Sequence, residues 1–221
     1  MHVCITGGAS GLGESLAILF KNKDWQVTII DRNKPKHPKL SACTYINHDF
    51  SSVKPLKITC DILILNHATF DGFTPFTSLT TNYVNQYIQI NLSAHLQMIQ
   101  NSQFNRLVYI NSVLSIASFP NVALYSATKA FMHTFLNSLR REGLNILTVY
   151  PYKIDTPLFA TVRTPFVLST HQTATAIYQA IINKQATLYL PSIFRLSYLL
   201  ALLPHRLQNW LHSLIYRLVI T

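Results

Sequence analysis

The sequence predicts an α/β fold, a three-layer, doubly wound parallel sheet with helices on both faces. Three observations predict it. Apolar strand patterns alternate with helical ones from the start of the chain to about residue 190. A glycine-rich turn, Thr6-Gly-Gly-Ala-Ser-Gly-Leu-Gly13, separates the first strand pattern from the first helical one. The run Asp61-Ile-Leu-Ile-Leu-Asn66 has no alternating polar face, as expected of a strand covered on both sides.

Taken in order, His2 to Ile5 is a short apolar strand. After the turn, Leu12, Leu16, Leu19 and Phe20 recur at helical spacing. Glycines at 7, 11 and 13 allow a tight turn and let a pyrophosphate approach the backbone, while the opening turn of the helix offers it free N–H groups and positive dipole. Gln26 to Ile30 is the second strand. It ends in Asp31-Arg32, about twenty residues beyond the glycines. A carboxylate there accepts hydrogen bonds from ribose hydroxyls and repels a 2′-phosphate, which favours NAD(H). The neighbouring guanidinium of Arg32 would admit NADP(H). The bland alternative is that Asp31 only caps a turn.

Pro35 and Pro38 argue against a full helix over Lys34 to Leu40. Tyr45 to Phe50 reads as a short third strand, with Asp49 near its end. Asn66-His67-Ala68-Thr69 follows the buried fourth strand, at the end where such sheets bind ligands. His67 is read as a loop residue packing near that ligand rather than as a base.

Thr80 to Gln100 reads as one long helix with two apolar faces. Tyr83, Tyr87, Ile90, Ala94 and Met98 form one face, and Ile88, Leu92, Leu96 and Ile99 the other. One can cover the sheet, and the second calls for another partner. Arg106 to Asn111 is the next strand, with Ser112 at its end. Leu124 to Arg141 is a helix, again apolar on two faces. These two helices predict a homodimer or homotetramer. Strands at Asn145 to Tyr150 and Ala186 to Leu190 bracket a loop from Ile154 and a helix near Thr173 to Asn183.

On the helix from Leu124, Tyr125 and Lys129 stand four apart and share a face. An ammonium beside a phenol favours the phenolate and draws its pKa down towards neutrality. Such a tyrosine exchanges protons with a substrate oxygen at ordinary pH. Alone, the pair would be read as a core tyrosine and a snorkelling lysine.

The chain has 221 residues, of which 49% are apolar and 12% charged, so a single domain with a substantial core is expected. The catalytic unit is expected over residues 1–192, with 193–221 as a basic, amphipathic helical extension of it. Cys4, Cys43 and Cys60 are odd in number and lie in or beside apolar runs, which gives neither a disulfide framework nor a metal site. With a strand pattern beginning at once, a reducing, cytoplasmic setting is expected. The formal charge of +10 comes mainly from a shortage of acids, which number eight. No helix with clustered Lys/Arg and no recognised nucleic-acid module is present, so the charge points to anionic ligands or an anionic membrane surface rather than to DNA or RNA.

After Asp155 there is no acid at all. Ile193 to Leu203 is strongly apolar. Beyond Pro204, His205 to Ile220 places Leu207, Trp210, Leu211, Leu214, Ile215 and Leu218 along one helical face. Neither run reaches the ~20 apolar residues of a membrane span. Peripheral contact with a membrane by residues 193–221, closure over the substrate pocket, and packing against a second subunit all remain open.

These residues together resemble the short-chain dehydrogenase/reductase family, whose fold is the Rossmann type. The likeness runs from about residue 2 to 190. Thr6 to Gly13 is similar to the family's TGxxxGxG turn, Tyr125 to Lys129 to its YxxxK pair, and Asn66 to Thr69 to its NNAG segment. Pro151 to Thr156 resembles its PGxxxT loop. The resemblance implies that Asn91, Ser112, Tyr125 and Lys129 form a catalytic tetrad. Ser112 would bond the substrate carbonyl, Tyr125 would be the general acid/base, Lys129 would tune the tyrosine and hold the nicotinamide ribose, and Asn91 would hold a relay water. Ser115 is a rival for Ser112. It further implies dinucleotide contacts from Gly7, Ser10, Gly11, Leu12, Gly13, Asp31, Arg32, Asp49 (to adenine), Asn66, Ala68, Tyr125, Lys129, Ile154 and Thr156.

The expected activity is NAD(P)-dependent interconversion of an alcohol and a ketone or aldehyde. The substrate would be hydrophobic, in a pocket made by Phe70–Phe76, Val113–Leu124 and Leu158–Val167. The alternative is a dinucleotide-sensing or scaffold protein on the same fold. His67 and Thr69 depart from NNAG, and Tyr152 stands where the family has glycine, which would narrow the pocket or demand another backbone conformation.

Overall fold

The computed structural model describes residues 1–70, 72–200 and 202–219, with the side chains of all of these except Leu218 and Val219. The expectations placed on Leu218 and Ile220 therefore lie outside the described residues.

Seven parallel strands form one sheet in the order β3-β2-β1-β4-β5-β6-β7. They are β1 (His2–Thr6), β2 (Gln26–Asp31), β3 (Thr44–Asn47), β4 (Thr59–Leu65), β5 (Gln103–Ile110), β6 (Ile146–Pro151) and β7 (Thr187–Leu190). The order reverses between β1 and β4, and this is the switch point at which such sheets bind ligands.

Alternation along the strands sends successive side chains to opposite faces, and each face carries its own core. Ile5, Ile29, Ile64 and Val149 pack under α1 (Gly11–Lys21), which contributes Leu16 and Phe20. Cys4, Ile30, Leu63 and Tyr109 face the other way, towards the helices that follow β4 and β5. Each fully buried Leu or Phe among these contributes about 1.5–3 kcal/mol.

The helix expected over Thr80 to Gln100 is three segments. They are α2 (Thr81–Ile88), a turn of π-helix at Gln89–Ser93 and α3 (Ala94–Asn101). Both apolar faces expected of it find neighbours. Tyr87 is buried against Tyr125 and Val122, and half-buried Leu92, Leu96 and Ile99 pack on the second core. The next helix, α4 (Ala123–Arg141), keeps Met132 and Leu136 in that core and leaves Phe131 46% exposed.

The third strand ends two residues before the expected Asp49. His48 and Asp49 then stand in the loop beyond the sheet edge, where Asp49 accepts a hydrogen bond from Ser51 N–H at 2.9 Å. Pro38–Leu40 is only a short 3₁₀ turn, as its prolines require. After β6, α5 (Thr170–Ile182) returns to the α1 side. Buried Arg106 of β5 donates to the Ile181 and Gln185 carbonyls near the end of α5, at 2.8 and 2.6 Å. Beyond β7 the apolar run is divided into a 3₁₀ turn at Ser192–Leu196 and α6 (Ser197–Leu200), before α7 (His205–Val219).

Candidate active site

β1 stops at Thr6 and the chain turns immediately, with Gly7 at φ +63°. A Cβ on Gly13 would fall 2.1 Å from the Gly7 carbonyl oxygen and 2.7 Å from Asn66 Nδ2. Only glycine lets α1 begin this close to β1. Asn66, just past β4, completes the clamp. Its Nδ2 donates to the Thr6 and Gly7 carbonyls at 3.2 and 3.0 Å, and its N–H donates to Thr6 Oγ1 at 3.0 Å.

Ser10 caps α1 from extended backbone, and its hydroxyl makes no capping hydrogen bond. The positive end of α1 is thus presented to an open cleft of about 360 Å3, lined by Ser10, Gly11 and Leu12. Across the same cleft stand Ser112, Tyr125 and Lys129. Gly7, Asp31, Arg32, Asp49, Asn66, Ala68, Ile154 and Thr156 also line it. Of the residues expected at the site, only Gly13 and Asn91 lie behind its wall. Gly13 acts through the close approach just described.

Asn91 sits in the π-helical turn, fully buried. Its Oδ1 accepts from Thr69 N–H at 2.9 Å and its Nδ2 donates to the Thr69 carbonyl at 3.1 Å. Both ends of the side-chain amide are thus engaged with backbone. Asn91 fixes the loop in which threonine replaces the family's glycine. A π-turn at such a point is a common way of aiming one side chain out of helical register.

Asp31 is already anchored. Its Oδ2 accepts from Ala9 N–H in the glycine turn at 3.1 Å and its Oδ1 from Asn33 N–H at 2.9 Å. His67 is a packing residue, as expected. Its ring lies flat between Phe50, 3.6 Å away at 6°, and His95, 3.9 Å away at 24°, with Nδ1 2.8 Å from Thr6 Oγ1. Burial and the charge of nearby Lys129 hold its pKa well below the usual histidine value.

Tyr152 takes no left-handed conformation, so the glycine expected there is not needed for backbone reasons. Its ring stacks on Phe194 at 5.2 Å, and Tyr152 also forms part of the cleft wall, which answers the concern about narrowing only in part.

The reactive pair differs from expectation in one respect. Lys129 is buried, and its Nζ donates to the Ile110 carbonyl at 2.7 Å and to Tyr109 Oη at 3.4 Å, while lying 5.8 Å from the centre of the Tyr125 ring. Burial pushes its pKa down to about 7. Burial also pushes Tyr125 up to about 12, and the nearby Ser112 hydroxyl draws it back only in part. Desolvation of both groups outweighs the expected lowering of the phenol by the ammonium. Ser112 accepts from Leu114 N–H at 3.2 Å, and Ser115 donates to the Ser112 carbonyl at 2.7 Å. Ser115 does not line the cleft, which favours Ser112 of the two.

Phe70 and Phe159 both approach the Tyr125 ring edge-on, at 5.1 and 6.3 Å. The three loops expected to make the substrate pocket meet here, with Phe73, Leu114, Phe119, Val122, Leu158 and Val162 in one apolar cluster. Sequence reading missed Tyr109 and the part that Thr6 plays in the clamp. Thr6 was visible as the first residue of the turn. Tyr109 looked like any inward aromatic of a strand, and nothing marked the Ile110 carbonyl as the lysine's partner.

The sheet's switch point, the clamped glycine turn at a helix N-terminus and the Tyr/Lys face opposite it define a Rossmann-type α/β protein built around one cleft. The chain belongs to the short-chain dehydrogenase family, whose model matches residues 1–165. Among curated relatives, an uncharacterized oxidoreductase of Staphylococcus aureus strain MW2 is 25% identical over 184 residues, covering 71% of this chain and 79% of the relative. One of Myxococcus xanthus is 25% identical over 218 residues, covering 85% and 86%. A short-chain dehydrogenase from Sphingobium yanoikuyae, solved in complex with NADPH, superposes with TM-score 0.72 at 20% identity over 86% of this chain and 88% of its own. A 3-ketoacyl-(acyl-carrier-protein) reductase from Brucella melitensis, complexed with NADH, gives 0.73 at 18% identity over 85% and 95%.

Proposed function

We propose that the protein is an NAD(P)-dependent oxidoreductase interconverting a hydrophobic alcohol and its ketone or aldehyde. One observation carries this reading: Ser112, Tyr125 and Lys129 share a single open cleft with the glycine turn and Asp31. The residues fit a dinucleotide. A Cβ on Gly11 would press against Thr156 at 3.1 Å, so the turn is pared to backbone where a pyrophosphate would approach. Asp31 lines the cleft and would accept from an adenosine ribose, which favours NAD(H) over NADP(H), and exposed Arg32 beside it leaves room for the latter. Solved proteins of the same fold carry NADPH and NADH.

When bound, the nicotinamide supplies or accepts hydride. Ser112 Oγ donates to the substrate carbonyl oxygen, and Tyr125 Oη passes it a proton, or removes one from the alcohol in reverse. Burial keeps Tyr125 in its protonated form at neutral pH, ready to donate. Lys129, near half-protonation at neutral pH, would bind the nicotinamide ribose hydroxyls and recharge the tyrosine. The apolar cluster around Tyr125 supports a hydrophobic substrate. Phe131, exposed on α4 and stacked on Phe135 at 5.9 Å, supports assembly of two or four copies through that helix.

A second reading, a dinucleotide-sensing or scaffold protein, draws support from the lysine's engagement with the Ile110 carbonyl and from the rings packed on Tyr125. Titration calorimetry with NADH and NADPH, followed by a screen of apolar ketones and alcohols, separates the two. Turnover is the expected result, and binding without turnover would give the sensor.

A further inference from the structure

We infer that α7 docks the protein on an anionic lipid surface. The helix leaves part of its apolar face exposed. Its inner side carries His212 and Tyr216, which pack on Phe119 at 6.5 and 6.2 Å, and Tyr216 also meets Phe73 at 5.7 Å and Asn121 Nδ2 at 3.4 Å. Its outer side carries Leu207, Trp210 and Leu214, at i, i+3 and i+7 of one face. They are 41, 60 and 39% exposed. Leu211 and Ile215 are half-buried on the inner side, so the apolar face of the helix is only part covered, and the leucines and tryptophan it leaves in water lack a partner.

Charge identifies that partner. Arg206 and Arg217 lie at either end of the same outer face, 100° per residue placing both beside Trp210. No Asp or Glu occurs after Asp155, whereas Arg163, Lys184, Arg195, Arg206 and Arg217 do. A second copy laid on this stripe would bring arginine to arginine with no acid to pair it. An anionic headgroup layer accepts the arginines, and the apolar stripe enters the acyl boundary with tryptophan at the level its amphipathic ring prefers. Exposed Leu199 and Leu202 lead into the helix and extend the apolar surface. Among the described residues no helix is long and apolar enough to cross a membrane, so the contact is peripheral. Through Tyr216 the docked helix would bear directly on Phe73 and Phe119, side chains of the apolar cluster around Tyr125.

The test is vesicle binding by the full chain, read without reference to turnover. Sedimentation with phosphatidylcholine vesicles, with and without a third of phosphatidylserine, should show binding that depends on the anionic lipid. Trp210 emission should shift to the blue on binding, over a constant background from buried Trp25. The variant Leu207→Ser/Trp210→Ser/Leu214→Ser should bind at least ~10-fold more weakly. Arg206→Gln/Arg217→Gln should lose about fivefold per charge. Trp210→Gln alone guards against loss of the helix and should retain the circular dichroism of the parent while weakening binding. Equal binding of neutral and anionic vesicles, unchanged binding by the triple variant, or no binding by the parent would each overturn the inference. So would a parent dimer that the triple variant dissolves, since the stripe would then belong to a second copy.

Discussion

Lys129 Nζ donates to the Ile110 carbonyl at 2.7 Å and stands 5.8 Å from the centre of the Tyr125 ring, so the two reactive groups share a face without sharing a hydrogen bond. The lysine's strongest partner is thus the last residue of the strand that delivers Ser112. One buried amine ties β5 to α4 and sits under the cleft.

That burial makes Lys129 a pH-dependent cost to the fold. Its pKa is about 7 in the folded chain and the ordinary lysine value, 10.5, when unfolded. Between these values the unfolded chain binds more protons, so stability rises with pH by about 1.4 kcal/mol per unit. Lys129→Met lacks this dependence. Urea unfolding of both proteins should show wild type gaining about 2–3 kcal/mol on the variant from pH 7.5 to 9.5. A constant gap would mean that the amine is solvated.

Tyr125→Phe deletes the proposed proton carrier and little else, because the ring remains packed against Phe70 and Phe159. Turnover should fall by about a thousandfold. NADH affinity by calorimetry should stay within about twofold. Equal activity would remove Tyr125 from the chemistry.

Gly13→Ala tests the turn. The added methyl meets the Gly7 carbonyl at 2.1 Å, which neither backbone can relieve without moving α1. The melting temperature should fall by several degrees, with a cost of about 1–3 kcal/mol from overpacking, and NADH binding should be lost. Retained binding would mean that α1 can retreat without harm.

Asp31→Ala removes the acid proposed to meet the ribose while leaving Arg32. The ratio of NADH to NADPH affinity should drop by about tenfold or more, as carboxylate repulsion of the 2′-phosphate disappears. An unchanged ratio would place the choice of cofactor elsewhere.

Much of this architecture was legible from residue pattern, because parallel strands covered on both faces leave continuous apolar runs, as at Asp61 to Asn66, and glycines leave gaps that only backbone can fill. The positions of Ser112, Tyr125 and Asp31 around one cleft followed from strand ends converging at a switch point. What escaped were choices made by three-dimensional competition. The π-turn at Asn91 interrupts a helix whose apolar spacing reads as continuous. Asn91's engagement with Thr69 depends on a loop far away in sequence. The pKa values of Tyr125 and Lys129 went against the pairwise expectation, since spacing reveals neighbours and says little about how much water each has lost.

The flat pile of Phe50, His67 and His95 sets an acid limit on this fold. Both imidazoles are held neutral, with pKa values well below 6.5, by loss of solvent. As pH drops beneath that figure, the denatured chain takes up protons that the packed rings refuse, and the equilibrium tilts towards disorder. Mild acid would therefore loosen the slab beside Thr6, at the glycine-turn end of the cleft.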